Sequence, residues 1–176
     1  MAGYSRIVLD QLVVRRGGPQ DIDVLVGLFD DAVAWLVARG QPEQWGSEPF
    51  SQRPDGRRRV NALATGGGLW VAEAGGEPVG ALVVGDAPEY APPVDYRELY
   101  IELLLTARRH AGKALGGRLI EVALREARTA GCAIIRVDCW AGAPRLVRWY
   151  EQQGFIPAAL YERRGFTGQI FSLQLD

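Results

Sequence analysis

Histidine is almost missing from this chain, which holds one, His110, in 176 residues. A histidine-based metal centre needs several imidazoles, and a Ser-His-Asp triad needs one beside a nucleophile, so neither chemistry is favoured. No metal is expected, and a lone histidine in a basic loop is expected at the surface. Cysteine is nearly as scarce. Cys132 and Cys139 lack metal-site spacing and are too few for a disulfide framework, so they read as reduced, small core residues. No base is visible beside either one, which argues against a cysteine acyl-enzyme.

Long apolar runs are absent too. None approaches the ~20 residues that cross a bilayer. The first residues, MAGYSRIVLDQ, lack the apolar stretch of a secretory leader. These two absences predict a cytoplasmic location and no membrane contact. Neither sign of charge dominates. The formal net charge is −1, so no global field draws the chain to nucleic acid, and partners must be chosen by local patches.

What is present is an ordinary globular composition, 48% apolar and 23% charged, suited to a single domain over residues 1–176. LVVRRGG (12–18) reads as a strand that ends in glycines. Pro19 and Asp21 then open a helix whose apolar residues recur at three and four as far as Gly40. Trp35 falls beside Leu36 on this helix and is expected in the core. Residues 41–56 read as a polar loop and 57–68 as a short helix. The segment 69–86 gives two strands joined by a hairpin turn at Gly75-Gly76. A proline-rich loop (87–98) leads to LYIELLL (99–105), a strand apolar enough to be covered on both faces. After it come a helix from Gly112 to Ala130, the strand CAIIRVDCW (132–140), a helix opened by Pro144, and two closing strands around GFTG. Strand, loop, helix, strand is a βαβ unit, which makes 99–105 and 133–139 parallel neighbours. The whole order, β-α-α-β-β-β-α-β-α-β-β, predicts a mixed sheet with helices on both sides.

The turn RRHAGKALGGRLI (108–120) inside that βαβ unit carries the strongest chemical signal. A helix N-terminus supplies unpaired N–H groups and partial positive charge. Small residues admit an anion close to that backbone, and Arg108, Arg109 and Lys113 add charge, so the turn reads as a phosphate cradle. It is not a nucleoside triphosphatase loop, because Ala114 and Leu115 follow Lys113 where Ser or Thr is required. It also lacks the G-x-G-x-x-G string of dinucleotide folds. A glycine-rich turn that merely packs a helix on a sheet is the alternative.

The motif resembles the pyrophosphate-binding sequence of the GNAT acetyltransferase superfamily, Gln/Arg-x-x-Gly-x-Gly/Ala, met here by Arg109, Gly112 and Ala114. WYEQQGF (149–155) resembles a second motif of that family, about forty residues further on. Together with the order of elements, the likeness covers residues 12 to 175. It implies an α/β (α+β) fold: a mixed, mostly antiparallel seven-stranded sheet, helices on both faces, and a splayed parallel strand pair at the centre. It further implies acetyl-CoA as co-substrate. The pantetheine arm would pair with exposed backbone at Leu103, Leu104 and Leu105. The pyrophosphate would lie on the turn made by Arg108, Arg109, His110, Ala111, Gly112, Lys113, Ala114, Leu115 and Gly116. Tyr150 matches the position of the family's general acid, whose phenol protonates the departing thiolate. An asparagine that many members carry near the second-motif helix is replaced by Ala143 and Pro144, and Arg145 is expected to reach the phosphates instead.

An amine must be neutral to attack a thioester, so a proton has to leave it. Glu102, a charge inside LYIELLL, is the candidate base or amine anchor. Glu98, four residues earlier, is expected on the same face. Acidic residues outnumber basic ones from Asp86 to Glu102, which favours a cationic acceptor. Tyr90 and Trp45 are expected to line its pocket. These readings converge on direct acetyl transfer to a small primary amine. A protein or peptide N-acetyltransferase and a non-catalytic acyl-CoA sensor are the alternatives. Members of the family often dimerise through the terminal strands, which makes a homodimer an expectation here.

Overall fold

The computed structural model describes residues 12–42, 45–111, 114–163 and 165–176. Seven strands form one sheet in the order β1-β2-β3-β4-β5-β7-β6. They are β1 (Leu12–Arg16), β2 (Leu69–Ala74), β3 (Glu77–Gly85), β4 (Glu98–Thr106), β5 (Ile134–Trp140), β6 (Ile156–Arg163) and β7 (Phe166–Gln174). Every neighbouring pair is antiparallel except β4 and β5. The helices are α1 (Ile22–Ala38), α2 (Pro54–Thr65), α3 (Leu115–Thr129) and α4 (Pro144–Gln152). The fold expected from the sequence is therefore present, element by element.

Local chemistry accounts for the joints. Gly75 and Gly76 both have positive φ, +60° and +81°, as a two-residue hairpin turn between twisted strands requires. Pro54 takes the first position of α2, where its missing N–H costs nothing, so this helix starts three residues before the expected Arg57. Arg163 pairs with Phe166, so Phe166, Thr167 and Gly168 belong to β7 and the GFTG stretch is mostly strand.

Each face of the sheet has its own core. Leu115, Leu119, Val122 and Ala123 of α3 pack with Tyr150 of α4 on Leu82, Ile135 and Val137. Leu25, Phe29 and Val33 of α1 pack with Val60 of α2 on Val71, Ala81, Leu103 and Leu105. A third, smaller cluster joins Tyr100 and Ile170 to Ala91 of the loop at 87–97. Among the described residues, no helix is long and apolar enough to cross a membrane.

Two irregularities at the centre of the sheet create the site. β4 and β5 pair only from Glu98–Ile134 to Ile101–Val137. Beyond that point each strand continues with a partner on its outer side alone, β3 for Leu103–Thr106 and β7 for Asp138–Trp140. The parallel pair splays there. The other irregularity lies in β4 itself. Val83 pairs with Leu103 and Val84 with Ile101, which leaves Glu102 as an extra residue in a β-bulge.

Candidate functional site

The splay opens a cleft of about 1260 Å³ between Ile101–Thr106 of β4 and Val137–Trp140 of β5. Because Leu103 to Thr106 are paired on one side only, their inward N–H and C=O groups are free to take an added extended chain. Leu103 and Leu105 anchor this backbone by burying their side chains against α1 and α2, while Leu104 is half-buried.

The cleft runs to the start of α3. Ala114, the N-cap, has φ +56° and is the only positive-φ residue other than glycine among those described. Left-handed backbone costs an L-residue roughly 1–2 kcal/mol, and alanine is the smallest side chain that can bear it. The first residues of α3, whose N–H groups have no acceptor within the helix, line the cleft. Gly116 lies in this first turn. A Cβ there would meet the Trp149 ring at 2.8 Å, so glycine lets α4 close on α3. Arg108, His110, Ala111, Ala114, Leu115, Gly116 and Arg145 all line the cleft. Gly112 and Lys113 lie outside the described residues.

Three of these side chains behave differently from expectation. His110 is buried, 7% exposed, because it turns into the cleft wall beneath α1 instead of out to solvent. The Arg109 side chain points away, toward the Pro78 carbonyl (3.3 Å) and the Glu77 carboxylate (3.6 Å), and Arg109 does not line the cleft. Trp35 is not a core residue. It lines the cleft, with the guanidinium of Arg108 at 3.9 Å from its ring and that of Arg39 at 4.5 Å. Burial, and then the charge of Arg39, lower the pKa of Arg108 below the ordinary arginine value.

Tyr150 forms the β5 side of the cleft and is 4% exposed. Phe171, Phe155 and Trp149 surround its ring at centroid distances of 5.5, 5.9 and 5.0 Å. Burial, then the neighbouring Cys139 and Asp138, push its phenol well above the usual value of about 10. The same burial, with Asp138, pushes the Cys139 thiol up to about 12, so it is not a nucleophile here.

Asp138, at the point where β5 leaves β4, was not singled out by the sequence. It accepts hydrogen bonds from three tyrosine hydroxyls: Tyr100 at 2.6 Å, Tyr161 at 2.8 Å and Tyr90 at 2.9 Å. Burial and then the Asp138 charge raise all three phenols, Tyr90 to about 12. This node ties the loop at 87–97, β4 and β6 to β5 and makes one wall rigid. Tyr161 reaches it across Gly168, where a Cβ would fall 2.1 Å from the tyrosine ring. The only signal available was an acid embedded in the apolar strand CAIIRVDCW.

Glu102 lies at the far end of the cleft, where a second cavity of about 540 Å³ adjoins it. Arg59, Tyr90, Glu102 and Arg163 line both spaces. The bulge turns Glu102 out of the sheet face, and Gly85 makes room for it, since a Cβ there would lie 2.0 Å from the carboxylate. Burial, then the charge of Asp86, raise the Glu102 carboxyl above the ordinary carboxylate range, against the opposing pull of Arg59. Tyr90 serves as wall here: its ring stacks on Tyr161 at 4.3 Å and carries Arg163 at 5.3 Å. Trp45 lines the cleft while packing against Phe29 at 5.3 Å.

Glu98 does not face this site, contrary to expectation. Its carboxylate receives Arg136 Nε at 2.6 Å and Nη2 at 2.9 Å, and Arg136 is 3% exposed. The register shift in β4 falls at Glu102 itself, and Glu98, near the start of the strand, is taken up by the buried arginine of β5 instead.

A sheet that splays at one parallel pair, beside a helix start rimmed by arginines, is built to take an extended chain with an anion at its end. The same fold occurs in yncA of Salmonella typhimurium, a structure solved with its cofactor acetyl-CoA, at a TM-score of 0.66 and 19% identity over 94% of this chain and 95% of that one. The chain belongs to the acetyltransferase (GNAT) family, whose sequence model matches residues 31–155. Its curated relatives include N-acetyltransferase 8 of Rattus norvegicus, 33% identical over 108 residues, 60% of this chain and 43% of that protein. Another is a probable N-acetyltransferase of Mycobacterium tuberculosis, 26% identical over 141 residues, 80% of this chain and 64% of that protein. The matched region thus spans 43% to 64% of the length of these two relatives.

Proposed function

We propose that the protein is an acetyl-CoA-dependent N-acetyltransferase that moves the acetyl group directly to a small primary amine. The observation that carries this reading is the continuous path from the α3 corner, along the one-sided backbone of β4, to Glu102. The diphosphate would rest on the amides at the start of α3, with Arg108 and Arg145 beside it, and the pantetheine arm on Leu103 to Leu105. The thioester then falls between Tyr150 and Glu102, where the two cavities meet.

The chemistry follows from these positions. The amine reaches the site as an ammonium, with a pKa near 10. The Glu102 carboxylate, raised above its ordinary value, is a stronger base than a free glutamate and takes the proton directly or through water. The amine nitrogen attacks the thioester carbonyl, gives its second proton to solvent as the C–S bond breaks, and coenzyme A leaves as a thiolate. Tyr150 is protonated throughout the physiological range, so it donates a hydrogen bond to the sulfur as negative charge develops there. A full proton transfer from a phenol raised above 10 to a thiolate near 8.5 is uphill, and solvent completes it.

Incubation with acetyl-CoA and a panel of amines, read by thiol release and by the mass of the acetylated product, tests this reading. Amine-dependent release is expected. Tight acetyl-CoA binding without release for any amine would replace it with the acyl-CoA sensor.

A further inference from the structure

The second cavity, lined by Arg59, Arg163, Asp86 and Glu102, is unlike a pocket for a simple cation. Arg59 projects from α2 and Arg163 from the end of β6, so two elements far apart in sequence bring guanidiniums to one cavity. Neither Arg59 nor Arg163 makes an ion pair within 4.0 Å with a described residue. Arg163 is instead propped on the ring of Tyr90, which Asp138 fixes through its hydroxyl. Asp86 and Glu102 line the same cavity, and Glu102 already has the role of receiving the amine.

We propose, on the basis of the acetyltransferase reading above, that the acceptor carries a carboxylate beside its amine, as an amino acid does. The amine is held at Glu102 and Asp86 and the carboxylate at Arg59 and Arg163. Arginine binds a carboxylate through a planar fork of N–H donors, which a simple amine has no means of using. The lining carries two positive and two negative side chains, a pattern that a zwitterion matches at both ends and a simple cation at only one. The volume of about 540 Å³ falls inside the range of roughly 300–1,000 Å³ typical of small-ligand sites. Leu63, Val83, Val84 and Pro88 complete the lining, so the side chain of the acceptor meets an apolar surface.

The test uses the full chain with acetyl-CoA and two matched pools, the twenty L-amino acids and their α-amides, with N-acetylated products counted by mass spectrometry. Each amide keeps the amine and side chain of its acid and loses only the negative charge. The acid pool is expected to yield at least tenfold more product. Arg59→Gln and Arg163→Gln are each expected to lower the acid-pool rate at least tenfold and the amide-pool rate by much less, so that the preference collapses. Equal or greater product from the amides overturns the inference, as does a parallel loss on both pools in the arginine variants. Calorimetry with acetyl-CoA is run alongside. Absence of binding there defeats the acetyltransferase reading itself, while binding with acetylation of amides alone defeats only the carboxylate.

Discussion

The two ends of the cleft are made of different material. The end toward α3 is main chain: a strand paired on one side, a left-handed alanine, and the first turn of a helix. The end toward Glu102 is side chain: a carboxylate on a bulge, two arginines from distant elements, and three tyrosines gathered on Asp138. Backbone recognition requires small residues at a few consecutive positions and tolerates little else. Side-chain recognition leaves the fold unchanged when its residues change. The first end therefore suits a ligand common to a whole family, and the second a ligand particular to this chain.

The sharpest form of this comparison is between two glutamates of β4. Glu98 and Glu102 share a strand and a charge, yet one neutralises Arg136 and the other faces the cavities. Removing the Glu98 charge leaves a buried guanidinium poorly paired. Glu98→Gln is expected to lower the unfolding free energy by about 3 kcal/mol, measured by urea denaturation, with kcat per folded molecule unchanged. A stable variant with lost activity would reverse the two roles.

Tyr150→Phe removes only the hydroxyl proposed above to meet the leaving sulfur. A fall in kcat of about a hundredfold is expected, with the acetyl-CoA dissociation constant within about twofold, as for loss of a hydrogen-bond donor to charge that develops in the transition state. An unchanged kcat would make Tyr150 a core aromatic and nothing more.

Ala114→Val tests the backbone end by adding bulk at a left-handed residue. Acetyl-CoA affinity is expected to drop about thirtyfold by calorimetry, since β-branched residues bear positive φ poorly and crowd the amides. If affinity survives, the α3 corner is not where the diphosphate sits.

Glu102→Gln gives the smallest effect at neutral pH, about a tenfold loss in kcat/KM, and the most informative pH profile. The group works as the carboxylate, so activity rises with pH through its pKa. Because burial and Asp86 raise that pKa, the acid limb of the native enzyme lies above the ordinary glutamate value of about 4.3. The limb should vanish in the variant.

The same division explains what the amino-acid sequence revealed. The strands, the four helices and the α3 corner were legible because periodicity, Pro54, Gly75-Gly76 and the run from Arg108 to Gly116 act locally. Glu98 was misplaced because the arginine that claims it, Arg136, lies 38 residues away on the neighbouring strand. Asp138 escaped notice because its three tyrosines lie 23, 38 and 48 residues away. Trp35 carries a helical core spacing, and only the tertiary arrangement brings Arg108 and Arg39 onto its ring. Arg59 and Arg163 reach one cavity by topology alone.

The central claim is that main-chain amides at the start of α3 grip the coenzyme's diphosphate. Calorimetric titration with acetyl-CoA and with S-acetylpantetheine, which keeps the arm and the thioester but has no diphosphate, tests it most directly. The account predicts at least a hundredfold weaker binding of S-acetylpantetheine, and equal affinity for the two compounds would contradict it.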